Sequence, residues 1–146
     1  MSGGGAFPAK AHFPNENEDL QVAKWPRVLV IDDSPADVEL LEYSFLKAYL
    51  YVVRARTPDD GLRLALSDKP DLIVCDRKFN GEDGYSLGRR IRAEIRLKDV
   101  PMVLLTGAPL KRGDHKKALD AGFDGCIEKT PDSKLLARQL MSFMPE

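Results

Sequence analysis

From Arg27 onward, short apolar runs alternate with longer stretches in which apolar residues recur at helical spacing. The runs are Val28-Leu29-Val30-Ile31, Tyr51-Val52-Val53, Leu72-Ile73-Val74-Cys75, Met102-Val103-Leu104-Leu105 and, more weakly, Gly125-Cys126-Ile127. Runs of this length, apolar at consecutive positions, suit strands buried on both faces, as in a parallel sheet covered by helices. Five strands and five intervening helices are therefore predicted, an α/β architecture. Ser34-Pro35, Thr57-Pro58 and Thr130-Pro131 each set a hydroxyl before a proline, the arrangement of an N-cap followed by proline at the first helical position. The third helix is expected from about Tyr85 to Arg96 and the fourth from about Gly113 to Ala121, with Gly122 as its C-terminal stop.

Residues 1–26 differ from the rest: three consecutive glycines, three prolines and the polar run Asn15-Glu16-Asn17-Glu18-Asp19, with few periodic apolar residues. They read as an N-terminal extension without its own core, and residues 27–146 as one folded domain. Phe7, Phe13, Leu20, Val22 and Trp25 are the residues able to pin that extension to the domain or to a partner. The 146 residues carry 22 Lys and Arg against 23 Asp and Glu, a net charge of −1. That balance argues against general nucleic-acid binding, which needs a cationic excess. No apolar run reaches the ~18 residues of a membrane span, and no secretory signal opens the chain. A cytoplasmic location is expected, with Cys75 and Cys126, each inside an apolar run, as buried reduced thiols.

Ligands of an open parallel sheet bind beyond the carboxyl ends of its strands. Asp32 and Asp33 follow the first run, Asp76 the third, Thr106 and Gly107 the fourth, and Lys129 the fifth. Three carboxylates brought together repel one another unless protons or a cation intervene. A hard, oxygen-seeking ion such as Mg²⁺ resolves that repulsion, and Lys129 offsets more of the charge. With a phosphoryl group added, each part has a use: a carboxylate nucleophile, Mg²⁺ and lysine for the equatorial oxygens, a threonine hydroxyl donor, and glycine leaving space. The chemistry indicated is reversible formation of an aspartyl phosphate.

Val30-Ile31-Asp32-Asp33-Ser34, Pro70-Asp71-Leu72-Ile73-Val74-Cys75-Asp76, Gly81-Glu82-Asp83-Gly84, Leu105-Thr106-Gly107 and Lys129, in this order and spacing, resemble the receiver domain of two-component response regulators, in particular single-domain, chemotaxis-type regulators. The resemblance covers about residues 27–144. It implies a flavodoxin-like, doubly wound sheet of strand order 2-1-3-4-5. It implies Asp76 as phosphoacceptor, and Mg²⁺ held by Asp32, Asp33, Asp76 and the backbone carbonyl of Lys78. Thr106, Gly107 and Lys129 then form the switch and phosphate-binding set. The implied donor is a phosphohistidine on a sensor histidine kinase or a histidine phosphotransfer protein. The output is contact with a downstream protein, without direct nucleic-acid contact or membrane insertion. Such a domain is not an enzyme for other substrates; it catalyses only its own phosphorylation and dephosphorylation.

Several positions depart from the family pattern. Asn80 stands where proline is usual, Thr130 follows Lys129 where proline is usual, and Cys126 occupies the place of the aromatic that moves with the switch threonine. Lys78 and Ala108 sit where side chains tune phosphate lifetime in the family. Asn80, Cys126 and Thr130 motivate a competing reading, a pseudo-receiver acting as a phosphorylation-independent interaction module. A metal-dependent phosphatase fits less well, because the Asp-x-Asp spacing of aspartate phosphatases is missing. Asp76 to Gly81 is no EF-hand loop either, its third position being Lys78 and its twelfth Leu87. Arg89, Arg90, Arg92, Arg96 and Lys98 make the third helix basic, as do Lys111, Arg112, His115, Lys116 and Lys117 the fourth, whereas Asp37, Glu39 and Glu42 mark the first as acidic. Such runs read first as solvated faces, and beyond that as surfaces that bias partner choice.

Overall fold

The structure is a computed structural model that describes residues 24–79 and 81–145. The N-terminal extension up to residue 23, and Asn80, lie outside the described residues, and with them the expectations placed on Phe7, Phe13, Leu20 and Val22. Five strands, β1 (Arg27–Ile31), β2 (Tyr51–Ala55), β3 (Leu72–Asp76), β4 (Met102–Thr106) and β5 (Gly125–Glu128), form one parallel sheet in the order β2-β1-β3-β4-β5. Among the described residues five α-helices pack with it: α1 (Pro35–Lys47), α2 (Pro58–Asp68), α3 (Gly84–Arg92), α4 (Asp114–Asp120) and α5 (Ser133–Met141). Among the described residues, no helix is long and apolar enough to cross a membrane.

Alternation along the strands splits the core in two. Val28, Val30, Leu72, Val74, Val103 and Leu105 turn to one face and pack with Val38, Leu41 and Phe45 of α1 and Leu136 and Leu140 of α5. Leu29, Ile31, Ile73, Cys75, Met102 and Leu104 turn to the other and meet Ala65 of α2, Leu87 and Ile91 of α3 and Ala118 of α4. Both faces of each central strand are thus buried, which is why the runs are apolar at consecutive positions.

The helix starts follow the hydroxyl-proline signal twice out of three. Thr57 accepts the N–H of Asp60 at 3.1 Å, and Ser34 holds the N-cap position of α1 without a side-chain cap bond. Thr130 is a correction: α5 begins two residues after Pro131, and Asp132 is its N-cap, accepting from the N–H of Leu135 at 3.0 Å. Thr130 instead accepts from the N–H of Asp132 at 3.3 Å, so its hydroxyl shapes the loop after β5 and not the helix end. The third helix is also shorter than expected, because α3 stops at Arg92 and a separate 3₁₀ turn covers Ile95–Leu97. After α4, Gly122 adopts φ +97°, the left-handed conformation that ends a helix at low cost in glycine.

Arg92 is not part of a solvated basic face. Its Nε donates to the carbonyl of Gly122 (2.8 Å), its Nη1 donates to the carbonyls of Leu97 (2.7 Å) and Val100 (2.8 Å), and Nη2 pairs with Asp124 (3.3 Å). One guanidinium therefore ties the ends of α3 and α4 to the turn before β4. Replacing Arg92 with alanine orphans several carbonyls and is expected to lower the unfolding free energy by about 1–3 kcal/mol, measurable by urea denaturation. Arg90 is likewise engaged, with Glu82 at 3.2 Å and Asp59 at 2.9 Å.

Candidate functional site

The chain runs from β1 outward to β2 on one side and back past β1 to β3 on the other, so β1 and β3 flank the point where the winding reverses. The crevice at the carboxyl ends of two such strands is where open sheets bind ligands. Asp32 leaves β1 and Asp76 ends β3, so both carboxylates face that crevice's rim from adjacent strands. Asp32 is held by its own loop: its N–H donates to the carbonyl of Ala55 (3.0 Å), and its Oδ1 accepts from the N–H of Ser34 (2.9 Å). Asp33 follows, and one carboxylate oxygen from each of Asp32, Asp33 and Asp76 lies within 4.8 Å of the others. Three convergent anionic oxygen donors suit a hard divalent cation and no soft one.

Lys129 enters from directly after β5, where its N–H donates to the carbonyl of Thr106 (2.8 Å). Its Nζ reaches Asp32 at 3.2 Å, Asp76 at 3.4 Å and Asp37 at 3.1 Å. Sequence reasoning missed Asp37 as a site residue and read it as surface charge. The available signal was its place in the first helical turn after Asp33, which returns its side chain to the carboxyl edge of the sheet. Burial raises the carboxyl of Asp76 above its ordinary value, and the neighbouring charge of Asp32 adds to this, outweighing Lys129. For Lys129, burial works against the charged form, yet the charges of Asp32 and Asp76 and the bonds to Asp37 and Asp32 hold the ammonium well above its usual range. The site is therefore acidic in excess and holds the Lys129 ammonium firmly charged.

Thr106, the last residue of β4, is buried, and its hydroxyl accepts from the N–H of Ala108 at 3.1 Å. A Cβ on Gly107 would meet nothing within 4 Å, so this residue leaves open space beside the rim. The loop after Asp76 is braced: Gly84 N–H donates to the carbonyl of Arg77 (2.7 Å) and Phe79 N–H to that of Glu82 (3.1 Å), bridging Lys78 to Asp83. This bracing sets the backbone of Lys78 immediately beyond Asp76. The Lys129–Thr130 peptide is trans, since no cis bond occurs among the described residues. Cys126 is buried in β5, and burial pushes its thiol up, as it does that of fully enclosed Cys75. Tyr85 of α3 belongs to the same apolar cluster as Cys126, and the ammonium of Lys117 on α4 stands 4.5 Å from its ring centroid.

The sequence matches the response regulator receiver domain over residues 28–140, and the chain belongs to this family, the phosphorylation-based signalling switches of two-component systems. It is 32% identical over 116 residues to the response regulator PleD of Caulobacter vibrioides, covering 80% of this chain and 25% of that protein. It is 33% identical over 114 residues to the DNA-binding dual master transcriptional regulator RpaA of Synechocystis, covering 77% of this chain and 47% of that protein. The chain thus spans between a quarter and a half of the length of these relatives. Among solved structures, a putative response regulator from Chloroflexus aurantiacus superposes with a TM-score of 0.74 at 27% identity, covering 82% of this chain and 98% of the other. The Vibrio cholerae chemotaxis protein CheY4 shares the fold, with a TM-score of 0.76 at 20% identity, over 82% of this chain and 99% of the other.

Proposed function

We propose that residues 27–146 form a receiver domain, preceded by an extension, that accepts a phosphoryl group on Asp76 from a phosphohistidine and signals by protein contact. The observation that carries this reading is the convergence of Asp32, Asp33 and Asp76 with Lys129 in the crevice between β1 and β3. Asp32, Asp33, Asp76 and the carbonyl of Lys78 are the residues that would hold Mg²⁺, which when bound neutralises phosphoryl oxygens during transfer. An Asp76 carboxylate oxygen attacks phosphorus, the nitrogen–phosphorus bond of the donor breaks, and the imidazole leaves. Lys129 pairs with the transferred group, the Thr106 hydroxyl turns from Ala108 to donate to it, and Gly107 leaves room. The partners are a sensor histidine kinase or histidine phosphotransfer protein upstream and a protein target downstream, in the cytoplasm. A second reading, a phosphorylation-independent pseudo-receiver, draws on Cys126 at the place of the family's moving aromatic.

One experiment separates the two. The protein is incubated with Mg²⁺ and acetyl phosphate, and intact mass is recorded for wild type and Asp76→Asn. One added phosphoryl mass on wild type, lost on chelating Mg²⁺ and absent from Asp76→Asn, is the expected result. No adduct on wild type, even with a phosphohistidine donor, leaves the pseudo-receiver reading.

A further inference from the structure

We infer that Asp37 is a positioning residue for Lys129, holding its ammonium toward α1 and competing for it with a phosphoryl group on Asp76; the inference rests on the phosphoacceptor reading above. Three carboxylates share Nζ, but they are not equivalent. The side chains of Asp32 and Asp76 are 4% and 12% exposed, and that of Asp37 is 52% exposed. Asp37 also stands outside the group of Asp32, Asp33 and Asp76 whose oxygens converge within 4.8 Å. Its hold on the site therefore passes through Lys129, with no carboxylate offered to the metal cluster.

The bond is at the same time short and separable. At 3.1 Å it is the closest of the three contacts to Nζ, yet half-exposed ion pairs are weak because water competes for both partners. On its α1 side the pair borders a cavity of 280 Å³ lined by Asp37, Lys129, Thr130, Pro131, Leu41 and Leu136, from which water can replace either partner. A phosphoryl group on Asp76 brings close to two negative charges and three acceptor oxygens to within reach of Nζ. Asp37 is the partner that costs least to give up, so the ammonium shifts from α1 toward the phosphoryl group, and Asp37 sets how readily it does so. A helix-start role alone, in which an acid in the first turn complements the N-terminal partial charge, would stabilise α1 without touching this exchange.

Rates of acetyl phosphate uptake in saturating Mg²⁺, read by intact mass, are compared for wild type, Asp37→Asn and Asp37→Glu, and for Lys129→Met with and without Asp37→Asn. Uptake by Asp37→Asn is expected to rise about two- to fivefold, the scale of one part-exposed ion pair. Asp37→Glu should return close to the wild-type rate, and Asp37→Asn should change nothing when Lys129 is methionine. Equal rates for wild type and Asp37→Asn would overturn the inference while leaving the phosphoacceptor reading intact. An acceleration that persists in the Lys129→Met background would also overturn it, since general charge repulsion then suffices. Thermal unfolding of wild type, Asp37→Asn, Lys129→Met and the double variant, without Mg²⁺ or donor, adds a readout independent of phosphorylation. Non-additivity of about 2 °C is expected for the Asp37–Lys129 pair, and strict additivity counts against it. If wild type takes up no phosphoryl group at all, the phosphoacceptor reading itself fails and the competition falls with it.

Discussion

Replacing Gly84 with alanine is expected to lower the unfolding free energy by about 3 kcal/mol, the upper end of the cost of overpacking, and to slow phosphoryl uptake at Asp76 at least tenfold. A Cβ at this first residue of α3 would overlap the carbonyl oxygen of Asp76, with Leu104 Cδ1 at 2.9 Å and the Cα of Arg77 at 3.0 Å. Two of these three obstacles are backbone and cannot rotate away. The helix start or the end of β3 must move, and the bond from Gly84 N–H to the Arg77 carbonyl stretches with it. If Asp76 is the nucleophile, as proposed, displacing it by a fraction of an ångström from Lys129 is what reaction geometry tolerates least. Urea denaturation reads the first effect and a mass time course the second. Gly81→Ala is the useful comparison: at φ +84° with nothing within 4 Å, it tests backbone strain in the same loop without a collision, and its effect should be smaller.

Asp76→Asn should raise the midpoint of thermal unfolding by about 2–4 °C at pH 7 in Mg²⁺-free buffer, an increment near 1 kcal/mol for a domain of this size. Burial and the charge of Asp32 raise the carboxyl of Asp76 above its unfolded value. The folded state therefore favours protonated Asp76. That stability is fully present below the unfolded pKa and is lost as pH rises through the folded one. At neutral pH the charged carboxylate is a burden that asparagine removes. The advantage of Asp76→Asn should shrink on acidification toward pH 3–4, where wild type is also protonated, near the ordinary aspartate value of about 3.9. Adding Mg²⁺ should reverse the order, because an ion held by three carboxylates stabilises wild type by mass action. Calorimetry across pH, with and without Mg²⁺, checks all three statements. A wild type less stable than Asp76→Asn in Mg²⁺ would argue against Asp76 as a metal ligand. Lys129, shifted upward, contributes stability throughout the neutral range and loses it only under strongly alkaline conditions.

The fold was legible because each apolar run of the central strands meets the same requirement twice: in β1, Val28 and Val30 face α1 and α5, Leu29 and Ile31 face α2 and α3, so no polar residue is tolerated between them. The placement of the candidate site was legible for a related reason. In a parallel sheet every strand delivers its next residues to the same rim, so Asp32, Asp76, Thr106 and Lys129 could be read off the strand ends without coordinates. Helix ends were less legible. Thr130-Pro131 carries a strong local signal, but Asp132 captures the N–H of Leu135 and moves the start of α5 onward. Arg92 looked like surface charge because nothing local announces that four carbonyls from two separate stretches of backbone will meet at its guanidinium.

By itself, then, the sequence determined the layered α/β fold, the acidic cluster and the lysine opposite it, since strand periodicity and residues at strand ends are local properties. Only the tertiary structure decided which acids share the ammonium of Lys129. Asp37 and Lys129 are 92 positions apart, and what joins them is the packing of α1 and the β5 loop over one edge of the sheet. That choice depends on distances of a few ångströms between elements remote in the chain, and no spacing rule along one strand or helix encodes them.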